Sequence, residues 1–382
     1  MKTDSIYLFL LFLFVTLQSI YFRQISLAPF PMLGFLMGVF AIFSKTRINQ
    51  KDILLLLGFY SIIFISILIG FLGAEYNNVV FYAPRLIGWL LFPISIVVFK
   101  KLFNIYTIDK LFKIINWVIL FHAGLFIIQF IYFKLTGDRI DFLEPITGEK
   151  QRIGASKLKE FGSSNIRASG IYSEPGSYTI YIYILTVIAF DLKKKLTPIM
   201  IVGLATMFLS FSMTGIFLAI FFVAIYIYLN PLTKKQIFNM ILMLFLVGML
   251  IIYNREIFLG PILNRMANIS DDGSSTARFA SGIEQFIFDG KLFIGYGIGF
   301  LSKDVKATSI LIGGMFELGL VILTTYLIYI FGVILKAKKK FYYVILFLPV
   351  LFSNLYLTQI IFCFFTGYMF YSKKVKESII AK

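Results

Sequence analysis

Apolar residues in this chain do not alternate at the two-residue period of a strand. Nor do they recur at the 3.6-residue period of a surface helix. They run on in blocks divided by short charged connections. The blocks fall near 5–22, 25–43, 53–72, 79–99, 111–134, 176–191, 196–211, 213–229, 237–253 and 307–335, followed by a last stretch over 341–371. About 20 helical residues cross the hydrocarbon core of a bilayer, so each block predicts a transmembrane helix. Splitting 341–371 near Ser353-Asn354 gives about twelve helices; one bent helix plus a re-entrant piece is the alternative. The expected fold is an all-α polytopic membrane protein, a single membrane domain over 1–382 with no soluble domain appended. The run from Ile6 to Ile20 follows Lys2 as in a signal peptide, but no small-x-small cleavage site comes after it. It reads as an uncleaved first helix.

The connections alternate in charge. Lys45, Arg47 and Lys51 lie in one, only Glu75 in the next, then Lys100, Lys101 and Lys110. Further basic clusters follow at Lys193 to Lys195, Lys234-Lys235, Lys336 to Lys340, and Lys373 to Lys376. Because Lys and Arg in short loops stay cytoplasmic, both termini are expected inside. Ser210 to Ser212 must then turn outside. Two long connections, about 135–175 (loop A) and 254–306 (loop B), are expected outside, and each balances six basic against six acidic residues.

Composition agrees with this reading. Of 382 residues, 59% are hydrophobic and 14% charged, against roughly 25% charged in a soluble domain. Mean hydropathy is +0.88. The net charge of +17 lies in the short basic connections, where it anchors topology and touches anionic lipid; no nucleic-acid partner is implied. Cys363 is the single cysteine, which excludes an intramolecular disulfide. There is no Cys/His cluster for a metal and no Walker motif for ATP. Asp271-Asp272 lies in a polar turn-like run.

Long outer loops point to chemistry at the membrane surface. In loop A, Arg167-Ala-Ser-Gly-Ile-Tyr-Ser-Glu-Pro-Gly176 runs straight into a span. That holds Arg167, Tyr172 and Glu174 just above the bilayer. Arginine forks onto phosphate and glutamate can take a proton from a hydroxyl; alternatively Glu174 merely favours the helix dipole. In loop B, Arg278 opens an amphipathic stretch carrying Glu284. Gly295-Tyr296-Gly-Ile-Gly299 follows, without the βαβ context of a dinucleotide fingerprint; it is either a flexible turn or a place where the backbone approaches a ligand. Arg85 lies about two turns inside the fourth span. An intramembrane arginine either snorkels to the headgroups or anchors an anionic headgroup in a cavity. Glu317 is a second charge within a span and a candidate partner for an arginine. His122, the only histidine, lies near the middle of an apolar span and reads as a core residue rather than a catalyst.

Four elements together resemble the bacterial O-antigen and capsule polymerases, a superfamily that includes the O-antigen ligases. They are Arg167-x-Ser-Gly-Ile-Tyr-x-Glu-Pro-Gly176, Leu209-Ser-Phe-Ser-Met-Thr-Gly215, Arg278 followed by Gly295 to Gly299, and Phe316-Glu-Leu-Gly319. Where ligases of the superfamily carry a histidine, this chain has Thr308, which favours a polymerase. The resemblance implies glycosyl transfer on the outer face of the inner membrane, from a glycan on polyprenyl diphosphate to a lipid-linked repeat unit. It implies no cofactor and no metal, and a flippase and a chain-length regulator as partners. Arg167, Arg278 and Glu174 become the catalytic candidates, with Glu174 as base. Arg85, Tyr172, Glu284, Tyr296 and Glu317 become substrate-binding candidates, and Arg85 is expected to reach the same diphosphate as the two loop arginines. A glycan ligase and a lipid-linked oligosaccharide flippase are the competing functions.

The charge alternation makes a topology prediction. In a Cys363→Ser background, Ser156→Cys and Ser274→Cys should react with a membrane-impermeant maleimide on intact cells, whereas Lys194→Cys and Lys338→Cys should not. The opposite pattern would invert the topology.

Overall fold

A computed structural model of the chain describes residues 2–17, 29–43, 49–73, 79–81, 83–148, 150–151, 167–231, 290–302, 309–353, 355 and 357–371. In chain order the elements are α1 (Lys2–Thr16), α2 (Pro29–Phe43), α3 (Gln50–Gly73), β1 (Val79–Phe81), α4 (Ala83–Ile105), α5 (Ile108–Thr136) and the single turn α6 (Glu144–Thr147). They continue with α7 (Pro175–Lys193), α8 (Pro198–Leu209), α9 (Met213–Leu229), β2 (Phe300–Ser302), α10 (Ile310–Lys338), α11 (Tyr342–Leu351) and α12 (Ile360–Phe370). Among the described residues, α3, α4, α5, α7 and α10 are long and apolar enough to cross a membrane, and six further apolar helices are shorter. The chain is a multi-pass membrane protein, predominantly helical among the described residues. The span expected at 237–253 lies outside the described residues, as does most of loop B.

Two departures from the hydropathy pattern have local causes. The fourth span starts at Ala83, not at 79, because Val79 to Phe81 pair antiparallel with Phe300 to Ser302. The β-branched valines favour that extended conformation, and Pro84 next to the helix start suits a first turn. The apolar stretch 341–371 is broken between Leu351 and Ile360. Its halves, α11 and α12, have 10 and 11 residues, each roughly 15 to 17 Å long, about half the hydrocarbon thickness.

The chain divides into two compact units: Met1–Gln18, Ala28–Ile115 and Ala277–Lys382 form one, and Ser19–Leu27 with Asn116–Thr276 the other. In the first, α12 packs along α4. A Cβ on Gly367 would meet the Ile96 carbonyl oxygen at 2.8 Å and the Lys100 amide nitrogen at 2.9 Å, so this glycine lets two backbones touch, as small residues do between membrane helices. Phe103 fills in beside it, its ring 5.2 Å from Phe364 and 4.9 Å from Tyr368. At the basic end of the same helices Asp52 is buried, held by Lys100 at 3.0 Å and Lys101 at 2.9 Å. In the second unit α7 is the centre, every residue from Tyr178 to Phe190 being buried. A helix apolar on all sides belongs in a core. Its Tyr178 hydroxyl donates to Thr206 Oγ1 at 2.6 Å. The 210–212 turn joins α8 to α9 with Ser210 Oγ accepting from the Ser212 amide at 3.2 Å.

The α4–α12 contact sets up a paired test. Gly367→Ala forces a methyl against backbone, an overpacking worth about 1–3 kcal/mol. A Cβ at Gly332, in α10, meets nothing within 4 Å, so Gly332→Ala gains only helix propensity. Thermal unfolding in detergent should show Gly367→Ala several degrees below wild type and Gly332→Ala at or above it. Equal melting temperatures would contradict the close approach.

Candidate active site

The first unit's two intramembrane charges meet. Arg85 Nη1 lies 3.1 Å from Glu317 Oε1, and Trp89 Nε1 donates to Glu317 Oε2 at 2.9 Å. Arg85 and Trp89 are four residues apart on α4 and so share one face. Both carboxylate oxygens are thereby bound, with the Glu317 side chain 10% exposed and that of Arg85 29%. Arg85 thus has Glu317 as an ion-pair partner. A bare carboxylate at this depth would cost several kcal/mol.

Glu317 stands just before a break in α10. Gly319 has φ 71° and ψ 168°, outside helical geometry, which frees carbonyls and amides that hydrocarbon cannot solvate. The segment 291–299 takes them up. The Tyr296 amide donates to Phe316 O at 2.7 Å and the Gly297 amide to Glu317 O at 3.1 Å, while the Leu320 and Val321 amides donate to Leu292 O and Phe293 O. Ser66 Oγ adds a second donor to Glu317 O at 3.1 Å. This backbone exchange explains the glycine run. Gly297 has φ 91°, and a Cβ on it would lie 2.2 Å from Gly70 Cα; one on Gly319 would lie 2.4 Å from Phe293 O. The close approach of 295–299 is therefore to α3 and α10. Tyr296 is 5% exposed, its ring in an apolar cluster with Ile312 and Phe316.

Beside the ion pair lies a cavity of about 290 Å³ lined by Arg85, Trp89, Glu317, the glycines Gly313 and Gly314, and the segment Leu357-Thr358-Gln359. That segment is the break before α12. Non-helical backbone survives at membrane depth when it is enclosed by protein or lines a polar cavity.

The second unit holds Arg167, Tyr172 and Glu174. Gln129, buried in α5, organises them: its Oε1 accepts from the Ser169 and Gly170 amides at 2.8 and 3.0 Å, and its Nε2 donates to Gln151 Oε1 at 2.9 Å. Gln151 Nε2 in turn donates to the carbonyls of Gly170 and Tyr172 at 2.6 and 2.9 Å. The Gln151 amide donates to Asp141 Oδ2 at 2.7 Å. Tyr172 is fully buried, 3.4 Å from both ring nitrogens of His122. Burial, with Tyr181 and Tyr178 beside it, pushes its phenol well above the ordinary value, so it stays neutral. His122 is likewise buried, at 1% exposure. Glu174 is half-buried as the N-cap of α7, with no side-chain cap bond. Arg167 is half-buried at the start of this segment.

Of the residues singled out from the sequence, Arg85, Glu317 and Tyr296 are thus gathered in one unit and Arg167, Tyr172 and Glu174 in the other. Arg278, Glu284 and Thr308 lie outside the described residues. Trp89, Gln129, Gln151 and the 357–359 segment were not singled out. Trp89 alone had a local signal, its four-residue spacing from Arg85. Among the described residues no three of His, Cys, Asp and Glu come together as a metal set.

No curated protein and no solved structure matches the chain significantly. A family model does, over residues 6–282, which take in most of α1 and all of α2 to α9, and so Arg85, the glutamine network and the Arg167–Glu174 segment. The chain belongs to the WcaD colanic acid polymerase family.

Proposed function

We propose that the protein joins lipid-linked oligosaccharide repeat units into a bacterial surface polysaccharide, of the capsule or exopolysaccharide kind. The observation that carries this reading is the match to a polysaccharide polymerase family over residues 6–282, in a chain that places an Arg85–Glu317 ion pair beside a cavity. The chain crosses the inner membrane about twelve times as one functional domain, with both termini cytoplasmic and loops A and B outside. The donor is the growing glycan on polyprenyl diphosphate, and the acceptor is a new lipid-linked unit delivered by a flippase. A chain-length regulator acts on the product.

In the transfer, a hydroxyl oxygen of the acceptor forms a bond to the donor's anomeric carbon. The bond from that carbon to the diphosphate oxygen breaks, and polyprenyl diphosphate leaves with the electron pair. The hydroxyl proton passes to Glu174, a half-buried carboxylate whose oxygens make no cap bond to α7. Diphosphate is already a good leaving group. The protein's task is to hold the two substrates in line and offset the growing negative charge. Arg167 and Arg278 supply that charge without a metal. Arg85 is balanced by Glu317 and contacts substrate as half of a neutral pair. Tyr172 in the second unit and Tyr296 in the first are each a candidate substrate contact, as is Glu284 in loop B.

Lysine keeps the charge of arginine but loses its planar fork. At positions 167 and 278, Arg→Lys should therefore shorten the polymer ladder nearly as much as Arg→Ala, in cells lacking any other polymerase and at equal membrane levels. Arg85→Ala strands a buried carboxylate, an effect of about 3–5 kcal/mol, and should lower the folded protein recovered. Adding Glu317→Gln should restore recovery without restoring the ladder. Unchanged ladders with alanine at both 167 and 278 would overturn the assignment.

A further inference from the structure

In the second unit, the stretch that leads into α7 is held by side chains rather than by a backbone ladder. Ser169 is fully buried, and so is Gln129 on α5. Gln129 uses every hydrogen-bonding group of its amide. Its Oε1 accepts from the Ser169 and Gly170 amides, and its Nε2 donates to Ile140 O at 2.8 Å and to Gln151 Oε1 at 2.9 Å. Gln151 is equally committed. Its Oε1 also accepts from the Phe142 amide at 3.3 Å, and its Nε2 donates to the carbonyls of Gly170 and Tyr172. The two side chains therefore clamp residues 140–142 to residues 169–172. A carboxylate could not replace either amide, because it has no N–H to give to the facing carbonyls.

The clamp closes on a tight turn. The Tyr172 amide donates to Ser169 O at 3.1 Å, and Ser169 Oγ donates to Tyr172 O at 2.8 Å. Gly170 is left-handed, with φ 58°, and a Cβ on it would lie 3.4 Å from the Phe126 amide nitrogen, so the turn packs directly on α5. On its other side Pro175 opens α7, and Glu174 is extended at φ −138° and ψ 145°. Ser173 alone separates the clamped turn from Glu174, and Arg167 stands two residues before Ser169. Asp141 fastens the outer edge of the clamp. Its Oδ2 accepts from the Gln151 amide at 2.7 Å, and its Oδ1 accepts from the Leu143 and Glu144 amides at 2.8 and 2.9 Å.

We propose that Gln129 and Gln151, with Asp141 behind them, are positioning residues for the glycosyl transfer: they set the backbone from which Arg167 and Glu174 act. The inference rests on the polymerase reading and on Arg167 and Glu174 as its catalytic residues. The clamp governs rate more than substrate affinity. Displacing a reacting group by about 1 Å can lower a rate about a hundredfold, while contacts made to the rest of a long lipid-linked substrate persist.

The test uses full-length protein in liposomes, with lipid-linked repeat units extracted from polymerase-deficient cells as substrate. Two quantities are read for each variant: the number and affinity of repeat-unit binding sites, and the rate of polyprenyl diphosphate release per site. Gln151→Met keeps the length of the side chain and removes its hydrogen bonds. It should lower the rate per site about tenfold to a hundredfold, with affinity within about twofold of wild type. Asp141→Asn is the milder variant, at a half-exposed position, and keeps the test open where Gln151→Met folds poorly. It sets an N–H2 against the Gln151 amide and should lower the rate per site severalfold, again with affinity kept. A purely structural role would reduce the number of sites and leave the rate per site alone. An unchanged rate per site in both variants would overturn the inference, and so would a loss confined to affinity. Wild type that binds repeat units but releases no polyprenyl diphosphate would instead remove the polymerase reading, and the inference with it.

Discussion

Hydrocarbon offers a carboxylate nothing to bind, and the first unit is arranged around that fact at Glu317. One side-chain oxygen is taken by Arg85 and the other by Trp89, while its carbonyl is taken by Ser66 and by the amide of Gly297. Three separate stretches of chain, α3, α4 and the 291–299 segment, are thereby tied to one residue of α10. The break at Gly319 makes this possible, because an intact helix would have kept the Phe316 and Glu317 carbonyls for its own amides. The same demand for internal satisfaction recurs in the second unit, where Gln129 and Gln151 replace water for the backbone leading to α7.

The spans were legible because a bilayer filters for length and apolarity, and little else produces runs such as 53–72 or 307–335. Span ends were less so. Val79 to Phe81 are as apolar as the helix they precede, and only their partner strand, more than two hundred residues on, makes them extended. The break before α12 was expected near Ser353-Asn354 and falls there, between Leu351 and Ile360. That it lines a cavity depends on α4 and α10, which sequence does not place beside it. Glycines 295 to 299 suggested a flexible turn or a backbone approach to ligand, whereas Gly295 and Gly297 lie against α10 and α3. Arg85 and Glu317 were each conspicuous as charges in apolar surroundings, yet at a separation of 232 residues no local pattern couples them. Gln359 carried no signal of its own, being one of several polar residues between Ser353 and Gln359.

The two units differ in what surrounds their candidate residues. In the first, Arg85 and Glu317 neutralise each other beside the cavity. In the second, a hydrogen-bonded frame fixes the chain from Ser169 to Tyr172, immediately before Glu174 and the α7 N-terminus. Arg167 and Glu174, both half-buried, flank that frame.

The most direct measurement is elongation by the purified protein in liposomes supplied with lipid-linked repeat units alone, without nucleotide sugars or ATP. The account predicts a ladder of products with one polyprenyl diphosphate released for each linkage formed, lost when Arg167 and Glu174 are replaced together. Movement of repeat units across the bilayer with no elongation and no release of polyprenyl diphosphate would contradict it.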